Sequence, residues 1–421
     1  MATVCFYFQV HQPYRLRNFS IFDTCNNDSV NTRDYFNDAS DTAHNNQKVM
    51  QKVARKSYLP TNQALLDLLE THPEFRVSFS FSGVVLEQFA EFAPEVLESF
   101  QALVATGQVE VLSETYHHSL AFFYDRDEFR SQVEEHGNLV YDLFGITPRV
   151  FRNTELAYNN ELGKWADDHG YAGVLAEGWD PVLEWRSPNF LYQPPGVKNT
   201  RLLLKNYKLS DDIAFRFSDK KWKGWPLTAE KFTDWINDHN ADRDTSGKLI
   251  NLFIDYETFG EHQWEDTGIF DFLRSLPGVL LRHPDNNFMT PSEVIENHDV
   301  HDEVDIPNTI TWADSERDLS AWLGNEMQQS AVKSLYELGP AVEKTNDSNI
   351  MRDWKRLQTS DHLYYMCTKW SADGDVHAYF NPYESPYEAF VNYMNILGDL
   401  RGRCTQESTF QKQSTLEPVE A

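Results

Sequence analysis

The sequence predicts an α/β fold: an incomplete TIM-like (β/α)7 barrel followed by a helical C-terminal domain. Three observations carry that prediction. Seven apolar runs suited to strands covered on both faces recur over the first 262 residues, helix-period segments lie between them, and past about residue 300 helical spacing replaces the strand signal.

The strand candidates follow in order: "TVCFYFQVHQP" (3–13), "EFRVSFSFSG" (74–83), "GQVEVLSETYHH" (107–118), "PRVFRNTE" (148–155), "YAGVLAEGWD" (171–180), "RLLLKNYKLSDDIAFRF" (201–217) and "KLINLFIDYETFGEH" (248–262). Each ends in polar or aromatic residues. Between them, "APEVLESFQALVATG" and "DEFRSQVEEHGNLVYDLFG" read as amphipathic helices. In the second, Phe129, Val133, His136, Val140, Leu143 and Phe144 share one face before Gly145 stops it. This assigns residues 1–300 to the barrel. In "DLSAWLGNEMQQSAVKSLYELG", Leu319, Trp322, Leu323, Met327, Ala331, Leu335 and Leu338 recur at helical spacing, which assigns 301–404 to a helical domain. The polar, aperiodic residues 405–421 are expected to form a flexible tail.

Composition narrows the function. A chain of 421 residues, 41% hydrophobic with 11 Trp, supports a large core and has aromatic rings left for a ligand groove. The net charge of −28 repels phosphate backbones and anionic lipid, so nucleic-acid and membrane-surface partners are disfavoured while neutral substrates are not. No apolar run reaches membrane-span length, and "MATVCFYFQVHQPY" lacks a basic n-region and a cleavage site. The reading is cytoplasmic. Cys5, Cys25, Cys367 and Cys404 show no C-x-x-C spacing and read as reduced thiols.

In parallel barrels, chemistry gathers at the C-terminal strand ends. Here those ends carry His11 and Gln12, Glu110 and Glu114 with His117 and His118, Glu155, Glu177 with Trp179 and Asp180, and Asp255, Glu257, Glu261 and His262. There is no glycine-rich phosphate loop or G-x-S-x-G elbow there. Carboxylates among Trp and His suit glycosidic-bond chemistry, in which one carboxylate attacks the anomeric carbon and a second, protonated, donates to the leaving oxygen.

The motifs "HQP" (11–13), "GQVEV" (107–111), "FRNTEL" (151–156), "DYETFGEH" (255–262) and "TWADSERDLSAWLGN" (311–325) resemble, in order, the five characteristic regions of glycoside hydrolase family 57, most closely its α-amylase-like subgroup. The resemblance spans roughly residues 4–400. It implies a retaining enzyme that cleaves α-1,4-glucosidic bonds of an α-glucan or maltooligosaccharide without an organic cofactor. Matched by position, Glu155 is the nucleophile and Asp255 the general acid/base. The chain departs from better-known members in having Thr-Glu-Leu around the nucleophile in place of Glu-Cys-Ala, and His262 where many carry Trp.

The remaining residues are weighed individually. His11 and Gln12 at the end of the first strand suit donors to sugar hydroxyls; the plainer reading of His11 is a core histidine. Glu110 either touches sugar or orients its neighbours. Glu257, two residues past Asp255, is placed to hold or tune it, with Tyr256 facing the other way. Trp179, Trp264 and Trp312 are candidate stacking platforms, with core packing the alternative; Trp322 reads as core. Asp314 and Asp318 share a face if their segment is helical, although "DSERDLS" equally suits a helix N-cap. Adjacent His117 and His118 would point to opposite faces of a strand, a poor chelate, so no metal is expected. Transfer in place of hydrolysis, by a 4-α-glucanotransferase or branching enzyme, is the leading alternative. A metal-dependent polysaccharide deacetylase and a non-catalytic glucan-binding protein are the others.

Overall fold

The computed structural model describes residues 2–25, 34–38, 43–238, 248–369, 377, 379 and 381–414. The chain divides into two compact units. The first comprises Met1–Gln12, Met50–Tyr116 and Gln132–Ala313; the second comprises Pro13–Val49, His117–Ser131 and Asp314–Ala421. The segments 13–49 and 117–131, which follow the first and third expected strands in sequence, thus group with the C-terminal helices.

The first unit is a mixed α/β fold. Its strands are β1 (Ala2–Val10), β2 (Val77–Phe81), β3 (Val109–Val111), β4 (Val150–Arg152), β5 (Gly173–Glu177), β6 (Leu191–Gln193), β7 (Arg201–Lys205), β8 (Lys248–Asp255), β9 (Asn286–Phe288) and β10 (Val300–Glu303). One sheet has the order β3-β2-β1-β8, with β9 also paired to β1; the other has the order β10-β6-β7-β5-β4. All pairings are parallel except β6 with β7. An isolated parallel bridge from Ser113 to Phe151 links β3 to β4, and Asn206 donates its backbone N–H to Asn251 of β8 at 2.9 Å.

Alternation along the strands sorts their side chains. Tyr7 and Phe253 join Leu112, Val150, Leu175 and Leu203 in one buried cluster drawn from both sheets. The opposite face of β1 and β2 presents Phe8 and Phe79, which meet Tyr256 and, for Phe79, Phe100 of the helix Pro94–Ala105, with ring centroids 5.3–5.7 Å apart. Each buried phenyl ring contributes roughly 1.5–3 kcal/mol through removal from water.

The seven expected strands all form, as β1 to β5, β7 and β8, but two local readings change. The run 201–217 is not one strand: Asn206 accepts the N–H of Leu209 at 3.0 Å, caps the helix Tyr207–Ala214 and ends β7 at Lys205. Residues 314–318 are not helical. Asp314 and Arg317 have φ of 55° and 51°, so a shared helical face is lost, while Asp318 accepts the N–H of Ser320 at 2.8 Å where the helix Ser320–Leu323 starts.

In the second unit, the expected 318–339 helix is broken. Asn325 and Gln328 form a reciprocal capping box that opens a new helix, Glu326–Thr345. Trp322 is buried, as its spacing predicts. The helices Ser348–Arg356, Ser360–Tyr364 and Pro386–Ser414 follow, tied by Arg403, which reaches Asp353 at 2.7 Å. The last helix carries the backbone of the expected tail as far as Ser414; residues 415–421 lie outside the described residues. Among the described residues no helix is long and apolar enough to cross a membrane.

Candidate active site

Asp255 is the last residue of β8, half-buried and in register with Gln9 of β1. The chain then tightens into a turn, Tyr256–Thr258. Tyr256 turns into the aromatic layer, its hydroxyl on Asn62 Oδ1 at 2.5 Å. Glu257 is buried, and its Oε1 accepts from the Tyr58 hydroxyl and, at 3.5 Å, from Gln12 Nε2. Burial pushes the Glu257 carboxyl up to about 8, with the charge of Asp255 adding to the shift and Tyr58 opposing it. A protonated carboxyl therefore stands next to Asp255 at neutral pH.

Glu155 sits where β4 ends, in the short turn Thr154–Leu156, with φ 59° and ψ 25°; Leu156 follows with φ 52°. Two consecutive left-handed, non-glycine residues cost about 1–2 kcal/mol each. The surrounding bonds hold them there. Thr154 Oγ1 meets Thr115 Oγ1 at 2.8 Å, Asn153 Nδ2 donates to the Ala157 carbonyl at 2.9 Å, and Leu156 is anchored in the core cluster. Backbone strain of this kind is a feature of functional sites.

Trp312 grips Glu155 twice. Its backbone N–H donates to the Glu155 carbonyl at 3.2 Å, and its indole Nε1–H donates to Glu155 Oε2 at 2.7 Å. The indole ring lies 5.0 Å from the Arg152 guanidinium and 5.3 Å from the Lys205 ammonium. Both cations have acidic partners. Arg152 faces Glu114 at 3.6 Å with both side chains fully buried, and Lys205 lies 3.7 Å from Glu177 and 3.4 Å from Asp211. Glu114 also accepts from Ser80 Oγ at 3.2 Å and from Gln9 Nε2 at 3.4 Å. An ionic layer thus lies around the residues that carry Glu155.

The other expected site residues divide. His11 is half-buried, with Nδ1 at 2.7 Å from Ser82 Oγ; Gln12 reaches Glu257. Trp179 is half-buried and caps the short helix Asp180–Leu183 through its carbonyl. His262 donates its backbone N–H to the Glu257 carbonyl, and burial holds its imidazole down at about 4, neutral at pH 7. Trp264 is 57% exposed, its Nε1 on the Glu261 carbonyl and Lys56 over its ring. Glu110 does not reach the strand ends. It lies level with Ser78, two residues short of the layer of Ser80, Gln9 and Asp255, and Ser292 donates to its two oxygens at 2.6 and 2.9 Å. It therefore anchors the start of the helix Pro291–Asn297. Asp314 belongs to the second unit, where Lys369 and His377 hold its carboxylate at 3.3 and 2.9 Å. His117 and His118 also fall in that unit, and among the described residues no three His, Cys, Asp or Glu side chains gather as metal ligands.

Arg152, Lys205, Tyr58 and Gln9 were not singled out in the sequence. Their signal was present: each is a polar group in or beside an apolar element, and Gln9, Arg152 and Lys205 lie at or near strand ends.

The Glu257 shift has a measurable consequence. Its folded value near 8 exceeds its unfolded value near 4.5, so its contribution to stability is fully present below pH 4.5 and is lost as pH rises through 8. His262, lowered from 6.5 to about 4, acts in the opposite sense, losing stability as pH falls from 6.5 to 4. Above pH 6.5 only the Glu257 term remains of the two. Urea midpoints should therefore fall from pH 6.5 to 8 more steeply in the wild type than in Glu257→Gln; parallel slopes would show Glu257 ionised throughout.

Acids at the ends of parallel strands, one of them locked to an indole, on a mixed α/β scaffold, define the class: a glycoside hydrolase. More narrowly, the chain belongs to glycosyl hydrolase family 57, whose family model matches residues 5–307. It is 43% identical over 408 residues to an alpha-amylase candidate of Methanocaldococcus jannaschii, covering 94% of this chain and 83% of that protein. Alpha-amylase 1 of Dictyoglomus thermophilum is 26% identical over 233 residues, 53% of this chain but only 31% of that enzyme. Among solved structures, the branching enzyme of Pyrococcus horikoshii superposes with a TM-score of 0.65 at 13% identity, covering 90% of this chain and 87% of that one. That likeness concerns the fold.

Proposed function

We propose that this protein cleaves α-1,4-glucosidic bonds of α-glucans with retention of configuration, Glu155 acting as nucleophile and Asp255 as general acid/base. The observation that carries the reading is Glu155 itself: a carboxylate at a strand end, held in a left-handed backbone conformation and oriented by Trp312 Nε1 toward attack on the anomeric carbon. Asp255 protonates the departing oxygen and later takes a proton from the incoming water. Glu257, neutral beside it, adds no second negative charge. His11 and Trp179 are the leading sugar contacts, and the Trp312 ring is assigned to positioning Glu155.

The same reading takes the two sheets as one incomplete (β/α)7 barrel, supported by the Ser113–Phe151 and Asn206–Asn251 links. A cytoplasmic setting fits the buried free thiols of Cys5, Cys367 and Cys404.

A product profile tests the reaction. Maltoheptaose incubated with pure protein should yield shorter sugars with rising reducing ends, absent with Asp255→Asn. Longer and shorter sugars at constant reducing ends would replace hydrolysis with transfer, since another sugar can resolve the same intermediate. Unchanged maltoheptaose would sink both on this substrate.

A further inference from the structure

A cavity of about 690 Å³ opens in the first unit among the segments after β5 and β7 and the "KKWKGWP" loop, and neither Glu155 nor Asp255 lines it. Its volume lies within the roughly 300–1,000 Å³ of ligand sites. It is also displaced from Asp255. Two of its lining residues are tied to the middle of β8: Asn206 bonds Asn251, and the Asn189 carbonyl accepts from Leu249. Asn251 lies four residues below Asp255, about 13 Å along a strand.

The lining has the composition of a sugar site. Trp222 and Trp235 stand edge to face with ring centroids 5.8 Å apart, and the Trp222 ring lies so close over Gly224 that a Cβ there would meet it at 2.5 Å. Neither indole N–H donates to a described residue. Asn189 is only 5% exposed; its Oδ1 accepts from Asn206 at 2.9 Å, while its Nδ2 has no acceptor among the described residues. That amide donor is available to a ligand acceptor.

The charges exclude a phosphate-bearing ligand as the better fit. Each cation on the wall already faces a carboxylate: Lys208 with Asp180 at 3.0 Å, Arg216 with Asp212 at 2.5 Å, and Arg186 with Asp302 at 3.5 Å. What remains is a neutralised wall of paired donors and acceptors around indole faces. Such a wall matches vicinal hydroxyls and the apolar CH faces of pyranose rings.

We propose that this cavity is a second carbohydrate-binding site, separate from the catalytic acids, that holds a distant segment of a long neutral glucan. The ligand class rests on the α-glucan reading above. The site would raise affinity for polymers by effective concentration without changing the chemical step.

The test pairs two substrates with two variants, Trp222→Ala and Trp235→Ala, each checked by thermal melting. Migration through gels with and without soluble starch is measured in an Asp255→Asn background, and kinetics on maltoheptaose and starch in the catalytically intact one. Expected are weaker starch retardation, a KM for starch raised roughly five- to tenfold, and unchanged kcat and unchanged maltoheptaose turnover. Unaltered starch retardation and KM in both variants, with wild-type maltoheptaose turnover intact, would overturn the second site and leave the enzyme reading standing. Parallel loss on maltoheptaose by a variant that melts like the wild type would overturn it too, placing the cavity in the catalytic groove. A wild type that neither turns over maltoheptaose nor is retarded by starch would remove the glucan reading and this site with it.

Discussion

Glu155→Ala should lower kcat on maltoheptaose by at least about a thousandfold, and sodium azide should restore part of it as a glucosyl azide of inverted configuration. The reasoning is geometric. Alanine removes the attacking oxygen but keeps the turn, because the Trp312 N–H still holds the residue 155 carbonyl and Leu156 stays in the core. A small anion then occupies the vacated volume and attacks the anomeric carbon once. Asp255→Ala should behave differently: the nucleophile remains, the first displacement loses its acid, and azide resolves the glycosyl-enzyme with overall retention. The two anomers, resolved by proton NMR, therefore assign the two acids independently of the rate loss. Retained product from Glu155→Ala would exchange the roles, and undiminished turnover in either variant would remove that residue from the chemistry.

How much of this was legible in advance depends on distance along the chain. β1, β2 and β8 are long and buried on both faces, so their apolar runs announce them; β10 is exposed along its whole length and has no apolar run to read. Asp255 was legible because charge abuts a buried run within one segment. The Trp312–Glu155 bond joins residues 157 apart, and nothing local in "TWADSER" distinguishes a ring that stacks on sugar from one that orients a carboxylate. Glu110 shows the converse error. Its place inside a strand motif suggested the site, but Glu110 lies two residues below the level of Asp255, where its carboxylate meets Ser292. Asp314 failed as a helical pair for a backbone reason, its positive φ.

Arg152→Met should have the largest effect on stability. The guanidinium is wholly buried, none of its nitrogens has a hydrogen-bond partner among the described residues, and it is held by the charge of Glu114 and the face of Trp312. Methionine fills much of the volume but leaves the Glu114 carboxylate buried without the guanidinium that faces it, beside the long bonds from Ser80 and Gln9. Breaking one side of such a pair costs about 3–5 kcal/mol, whereas neutralising both sides costs far less. Urea unfolding should therefore place Arg152→Met far below the wild type and the double variant Arg152→Met/Glu114→Gln well above the single one. Activity should not recover in parallel. The double variant restores a satisfied interior but leaves Lys205 as the one of the two cations still on the Trp312 ring, so the indole that fixes Glu155 is freer and kcat stays low. If Arg152→Met unfolds like the wild type, the Arg152–Glu114 pair carries no stability. If the double variant regains full kcat, the Arg152 cation has no part in catalysis, and Nε1 with Lys205 beside the ring suffices to orient Glu155.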